Sequence, residues 1–382
     1  MDRWILSLPT KVEFGEGALS SLATHAAGYK KALVVTGRNA MRKAGVTDRV
    51  CALLKEAGVE SFVFADVSPD PDCTEVSRAG EIVGAEKIDL LVAVGGGSAI
   101  DCAKAVSVIA TNPGEPMDYV MGTGTRAVEN DCLPVIAVSA TSGTGSHIGK
   151  ASVLSDRSKN IKRTILSDRI YPKVAVCDPE VLKTMPPSVT AATGFDAFTH
   201  AFEGYLSSVE NPMGNVCAAE AIKIILKTLP AVYKDGSNLE LRARMSWAET
   251  LAGVSLASNG ISTPHALAMV AGGKFHITHG VALAMVTPAW IEHTAPGAKD
   301  KFAAIAGALG YTGSDPVAFV AETVKDLIVS IGLTERLADY GVKESDLEAL
   351  ALDARAGFDF RIKADPVPPT DEETALILKN SL

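Results

Sequence analysis

The feature that most constrains this chain is a change of pattern near its middle. Through residue 178, short apolar runs bounded by Gly, Pro or Asp alternate with stretches of helical periodicity. The runs are 31–37 (KALVVTG), 61–67 (SFVFADV), 89–97 (DLLVAVGGG), 134–141 (PVIAVSAT) and 173–178 (KVAVCD). Val, Ile and Leu in succession, without polar alternation, belong to strands buried on both faces, as in a largely parallel sheet. The intervening stretches 47–57, 74–85 and 98–110 read as helices, which makes this an open α/β unit. Beyond it the strand-type runs nearly vanish. Apolar residues then recur at helical spacing over 189–206, 212–232, 240–256, 298–309, 315–331 and 344–356. Pro186-Pro187 marks the boundary, because a residue before proline is pushed out of the helical region. The expected architecture is an α/β nucleotide-binding domain over 1–183 followed by an all-α domain over 184–382.

Composition narrows the function classes. The 382 residues are enough for two domains with sizeable cores. With 36 basic against 45 acidic residues, net charge −9, the surface offers no electrostatic grip on nucleic acid or an anionic membrane. No uncharged apolar run reaches the roughly 18 residues that cross a bilayer. The opening MDRWILSLPTKVEFGEG lacks the basic and long apolar regions of a secretory signal. Cys51, Cys73, Cys102, Cys132, Cys177 and Cys217 are scattered, with no Cys-x-x-Cys pair. Free thiols of that kind fit a reducing, cytoplasmic setting rather than a disulfide framework or a thiolate zinc site.

Two loops carry phosphate-binding signals. The 89–94 strand runs into Gly95-Gly96-Gly97-Ser98 and then a helix. Glycines at a helix N-terminus let backbone N–H groups approach a phosphate, and Ser98 could cap the helix or donate to a phosphate oxygen. The same four residues also suit a tight turn with no ligand. A second strand leads into 139–147 (SATSGTGSH), rich in small hydroxyls. Two such loops at the carboxyl ends of adjacent strands form the crevice where open α/β sheets bind nucleotides. Thr141, Thr144 and Ser146 would line one side, Gly97 and Ser98 the other.

The second half holds a metal-type constellation. Asp196 and His200 lie four apart, on one helix face. His265 and His279 follow, fourteen residues apart. One carboxylate and three imidazoles suit Fe²⁺ or Zn²⁺ with no thiolate required. Each histidine alone is equally an ordinary hydrogen-bonded residue, and Asp196–His200 alone could be a surface pair.

The flanking sequence resembles the iron-containing (group III) alcohol dehydrogenase family, of the dehydroquinate synthase-like fold. The resemblance runs through 9–19 (PTKVEFGEGAL), 95–101 (GGGSAID), 141–146 (TSGTGS), 178–181 (DPEV), 193–207 (TGFDAFTHAFEGYLS), 264–268 (PHALA) and 278–280 (THG). It implies an N-terminal nucleotide domain, a C-terminal helical domain, and an active site in the cleft between them. It implies that Asp196, His200, His265 and His279 ligate a divalent metal, typically iron. It further implies that Gly96, Gly97 and Ser98 contact a pyrophosphate, that Thr141, Ser142 and Thr144 contact the nucleotide, and that Lys162 reaches its ribose. Asp101 would sit near the dinucleotide groove or cap the Ser98 helix. A homodimer is the family expectation.

Three positions depart from the family pattern. A second histidine commonly stands four residues after the first of the later ligands, where this chain has Met269. Proton transfer would then fall to water, a ribose hydroxyl or His276. Glu commonly follows TSGTGS, where this chain has His147, a change either without consequence or one that alters the pocket. NAD-preferring members tend to carry Asp after the Thr that ends the first strand, where this chain reads Gly37-Arg38-Asn39. A carboxylate there binds a ribose 2′-hydroxyl and repels a 2′-phosphate. Gly37 removes the repulsion and Arg38 or Asn39 could meet the phosphate, which favours NADP(H) over NAD(H).

The expected activity is hydride transfer between a nicotinamide and a small primary alcohol or aldehyde, with a metal polarising the substrate oxygen. Same-fold alternatives are a glycerol dehydrogenase, a maleylacetate reductase, which needs no metal, and a dehydroquinate synthase, which wants a more basic pocket. An alternative of another class is a non-catalytic nucleotide-binding sensor.

Overall fold

A computed structural model describes residues 3–382. They form two compact units. One comprises Leu8–Met185 with Ser237–Ser246; the other comprises the segment ending at Ser7 with Pro186–Gly236 and Trp247–Leu382.

The first unit is built on six parallel strands: β1 (Lys11–Phe14), β2 (Lys31–Gly37), β3 (Glu60–Val67), β4 (Leu90–Gly95), β5 (Val135–Ser139) and, after two strands of a separate hairpin, β8 (Val174–Cys177). Their order across the sheet is β1-β8-β5-β4-β2-β3. Alternate residues of β2, β4 and β5 enter separate cores. Leu33, Val35, Leu91, Ala93, Val135 and Ala137 pack with Val76, Ala79, Val83, Ile100, Ala103 and Val106. Ala32, Val34, Leu90, Val92, Ile136 and Val138 pack with Val46, Val50 and Leu54 on the opposite face. Burial on both faces is why these strands read as unbroken apolar runs. The helix after β2 (Val46–Glu56) and the helix after β4 (Gly97–Ile109) therefore cover opposite faces. Their divergence makes the carboxyl ends of β2 and β4 the topological switch point of the sheet.

The hairpin is a feature the apolar pattern gave no sign of. Strands β6 (Ala151–Asp156) and β7 (Ile161–Leu166) pair antiparallel. Their polar, alternating sequences ASVLSD and IKRTIL resemble loop rather than core strand. The connecting turn is held by Asp156 Oδ1, which accepts from Ser158 N at 3.1 Å. Residue 160, an Asn, adopts φ 53°, a left-handed conformation that Asn tolerates.

The second unit is all-α among the described residues. Pro186-Pro187 starts a helix rather than ending one: Pro187–Leu206 has proline at its first position, where no N–H is needed. The periodicity over 189–206 thus lacked only the first two residues. Two helices that the spacing did not reveal, Thr263–Phe275 and His279–Thr294, are the ones that position His265 and His279. Nine residues of Thr263–Phe275 and twelve of His279–Thr294 are buried, so neither has a polar face to generate a 3.6-residue rhythm. No helix of the chain is long and apolar enough to cross a membrane among the described residues.

Candidate metal centre and dinucleotide cradle

In the helical unit, Asp196 and His200 project from one face of the Pro187–Leu206 helix, and both are buried. Three imidazoles converge on a single carboxylate oxygen. Asp196 Oδ1 lies 3.6 Å from His200 Nε2, 3.5 Å from His265 Nε2 and 3.7 Å from His279 Nε2. These separations exceed good hydrogen-bond lengths, and Asp196 Oδ1 and His265 Nε2 have no hydrogen-bond partner. Ligand atoms of Asp196, His265 and His279 all lie within 4.8 Å of one another, and the His200 ring stacks on that of His265 at 4.6 Å between centroids. One carboxylate and three imidazoles crowded this closely, with Asp196 Oδ1 and His265 Nε2 unpartnered, are a donor set that fits a divalent cation.

Close backbone approach makes the convergence possible. His279 opens the His279–Thr294 helix, and a Cβ on the following Gly280 would lie 1.9 Å from the Ala192 carbonyl oxygen. Only glycine lets that helix end press against Pro187–Leu206, one turn before Asp196. His276, the other histidine expected near the chemistry, is exposed in a left-handed conformation at φ 57°, where it ends the Thr263–Phe275 helix. Met269 is buried one turn beyond His265.

Sequence reasoning missed Glu203. It is wholly buried, seven residues beyond Asp196 on the same helix. Its Oε1 accepts from His265 Nδ1 at 2.6 Å, and its Oε2 accepts from Ser262 N at 2.7 Å and Ser262 Oγ at 3.3 Å. A carboxylate only accepts, so His265 Nδ1 carries a proton and Nε2, which faces Asp196, is the atom left to ligate. The available signal was the i, i+4, i+7 spacing of Asp196, His200 and Glu203, three polar residues on a face otherwise filled by Phe and Ala. Burial pushes the His265 imidazole down, but the charges of Glu203 and Asp196 outweigh it and raise its pKa to about 9. Burial likewise opposes ionisation of Asp196, yet His200, His265 and His279 hold its carboxyl well below the usual range. Arg361 is buried too; burial lowers its pKa to about 10 while the Glu203 charge works the other way.

The cradle lies in the α/β unit. Strand β4 ends at Gly95 (φ 155°), and Gly96 precedes the first residue of the Gly97–Ile109 helix. A Cβ on Gly96 would fall 2.8 Å from Thr141 Cγ2, and one on Gly97 would fall 2.6 Å from Thr144 Cγ2. The glycine turn and the threonine loop are thus in contact, as adjacent β4 and β5 require. Thr141 Oγ1 and Ser142 Oγ are buried without hydrogen-bond partners, which fits a polar ligand in the cradle. Gly37, half-buried, ends β2 beside β4, and Arg38 and Asn39 follow it exposed.

Asp70 joins two of the expected residues. Its backbone N–H donates to Ser98 Oγ at 3.2 Å, and its Oδ1 pairs with Lys162 Nζ at 2.6 Å. Asp70 holds φ 55°, a strained conformation outside glycine. Lys162 comes from β7, so the unforeseen hairpin is what delivers it. Asp101 and Ser146 are bound to each other through their side chains, and His147 is buried beside them. Burial, and then the nearby Lys104 charge, push His147 down to about 3, so it is neutral.

Comparison with known proteins finds a family match in each half of the chain. The description "Iron-containing alcohol dehydrogenase" matches residues 9–179, and "Fe-containing alcohol dehydrogenase family, C-terminal" matches residues 190–382. Alcohol dehydrogenase 4 of Saccharomyces cerevisiae is 36% identical over 375 residues, covering 96% of either chain. The NAD-dependent methanol dehydrogenase of Bacillus methanolicus is 32% identical, covering 98% of this chain and 99% of its own. The crystal structure of an archaeal halo-thermophilic Red Sea brine pool alcohol dehydrogenase superposes with TM-score 0.95 at 30% identity, over 100% of both chains. With family matches in each half and full-length relatives above 30% identity, the chain belongs to the iron-containing alcohol dehydrogenase family and is a nicotinamide-linked oxidoreductase of alcohols.

Proposed function

We propose that the chain interconverts small primary alcohols and their aldehydes, with Asp196, His200, His265 and His279 holding a divalent iron or zinc ion. The observation that carries this reading is the convergence of three imidazole nitrogens on one buried carboxylate oxygen at 3.5–3.7 Å. When bound, the cation supplies a Lewis acid for the substrate oxygen, and the nicotinamide supplies a hydride acceptor or donor. The residues themselves tune that site. A single carboxylate among three neutral imidazoles neutralises only half of a divalent charge, so the pull on a substrate oxygen is kept. Glu203 keeps His265 in the tautomer that ligates. Met269 cannot carry a proton, so exchange with solvent falls to water, a ribose hydroxyl or the exposed His276.

Thr141, Ser142, Thr144, Gly96, Gly97 and Ser98 line the dinucleotide's phosphates and Lys162 its ribose. The preferred form is NADP(H). Support comes from the end of β2, where no carboxylate stands at 37–39 to repel a 2′-phosphate and exposed Arg38 can meet one. The methanol dehydrogenase relative is NAD-dependent by name, so this preference is a departure of this chain. Small substrates are supported by relatives named for methanol and 1,3-propanediol. Six free thiols support a cytoplasmic setting. The assembly is a homodimer, and a monomer in sedimentation velocity would overturn that point.

The test is metal analysis of the purified protein together with NADPH and NADH oxidation over a panel of short aldehydes. Expected are about one iron or zinc per chain and turnover with short aldehydes. Absence of metal and of turnover with every carbonyl overturns the reading and favours a nucleotide-binding sensor.

A further inference from the structure

Lys104 is wholly buried in the α/β unit, two turns into the Gly97–Ile109 helix. Its Nζ donates to Ser146 Oγ at 2.9 Å, to the Gly149 carbonyl at 2.8 Å and to the Ala151 carbonyl at 2.9 Å. An ammonium has three protons, and these acceptors use all of them. One turn earlier, Asp101 completes the join. Its Oδ1 accepts from Ser146 Oγ, its Oδ2 accepts from Val153 N at 2.9 Å, and its carbonyl accepts from Ser152 Oγ at 2.7 Å. The helix that begins at the glycine turn is thereby fastened to residues 146–153. That segment continues the loop whose threonines press on Gly96 and Gly97, and Ser146 N donates to Thr144 Oγ1 at 3.2 Å.

We propose that Lys104 is a positioning residue for the dinucleotide: its ammonium clamps the 146–151 segment to the phosphate-facing helix and so sets the gap between the two lips of the cradle. The inference rests on the dinucleotide reading above. The contacts between the lips leave no slack, since Thr141 and Thr144 already occupy the space a Cβ would need. A loop released by a few tenths of an ångström moves its hydroxyls away from the backbone N–H groups that face them across the cradle. Burying an ammonium is costly, and a neutral side chain would join two segments at less expense. The count of three acceptors for three protons shows what the charge adds: every direction of the ammonium is assigned.

The protonated state is therefore part of the clamp. The charge acting on Lys104 is that of Asp101 on its own helix; Lys104 in turn acts on the neutral His147 of the loop, and Asp70 acts on Asp101. Burial lowers the Lys104 pKa, Asp101 restores it only in part, and the result is about 8. Above that pH the amine keeps two donors and turns a lone pair towards an oxygen it formerly bound. Nucleotide binding that requires the closed clamp holds the proton more tightly in the complex than in the free protein. Affinity is then constant below about pH 8 and falls as pH rises through it.

The experiment measures Kd for NADPH and NADH by nicotinamide fluorescence from about pH 6.5 to 9.5. It compares the wild type with Lys104→Met and Ser146→Ala, with metal content determined on the same samples. The wild type is expected to weaken above pH 8. Lys104→Met should bind about tenfold more weakly at neutral pH, show no inflection, and keep its metal content. Ser146→Ala keeps the ammonium but removes one acceptor; it should bind about threefold more weakly and retain the inflection, and it carries the test if Lys104→Met does not fold. Wild-type affinity in either variant, or an inflection that persists in Lys104→Met, overturns the clamp. A wild type that binds neither nucleotide overturns the dinucleotide reading itself.

Discussion

Glu203 divides its two oxygens between two tasks. Oε2 takes the N–H and hydroxyl of Ser262 and thereby caps the Thr263–Phe275 helix, while Oε1 fixes the His265 tautomer. Glu203→Gln keeps the shape and removes the charge. Cation affinity in that variant, measured by chelator competition, should fall about 10–100-fold with helix content retained. An unchanged affinity would leave Glu203 as a cap alone. At the end of β2 the decisive residue is the one that lacks a side chain. Gly37→Asp introduces a carboxylate beside the Val67 carbonyl and should shift the NADPH/NADH ratio of kcat/KM towards NADH by about tenfold. An unchanged ratio would refute the proposed role of 37–39. Residue type singled out Asp196, His200, His265 and His279 as candidates, because metal-ligating chemistry is limited to a few side chains. Residue type could not foretell Glu203, Asp70 or Lys104, which look like surface charges until their partners are known.

Among the elements, the helix beginning at His279 depends on contact rather than on propensity. Gly280 stands where a Cβ would meet the Ala192 carbonyl oxygen at 1.9 Å, a distance no side chain tolerates. Gly280→Ala must push the two helices apart, costing about 1–3 kcal/mol, and it moves His279 away from Asp196. A lower Tm together with weakened cation binding is the expected pair of results. Full cation affinity in a folded Gly280→Ala protein would show that His279 is dispensable. The β2, β4, β5 and β8 strands were legible because burial on both faces writes itself into an unbroken apolar run, whereas β1, with exposed Lys11 and Phe14, left no such trace. The Thr263–Phe275 and His279–Thr294 helices were not, for the matching reason that a helix buried all round has no rhythm. The β6–β7 hairpin escaped notice because its strands are polar and alternating, without the unbroken apolar run that marks the main sheet.

On the scale of the whole molecule, each compact unit carries one of the two ligand sites described, the cation donors among the helices and the cradle on the sheet. A cation bound only by the native state stabilises it by about 2.7 kcal/mol at a free concentration of about 100 times its Kd. Calorimetry should therefore show a transition that falls by several degrees on chelation and recovers on adding iron or zinc. A melting profile indifferent to chelator would mean that the four donors hold no ion. The sequence by itself determined the α/β and helical halves, and it singled out Pro186-Pro187, the glycine and threonine loops and the four metal-type side chains as candidates. Those depend on local spacing and on the chemistry of single residues. Only the tertiary structure decided which charges act on those sites. Glu203 meets His265 across 62 residues, Lys104 meets Gly149 across 45, and Lys162 on the hairpin meets Asp70 far earlier in the chain. A buried polar group takes whatever partner packing brings to it, and no local pattern in the chain encodes that choice.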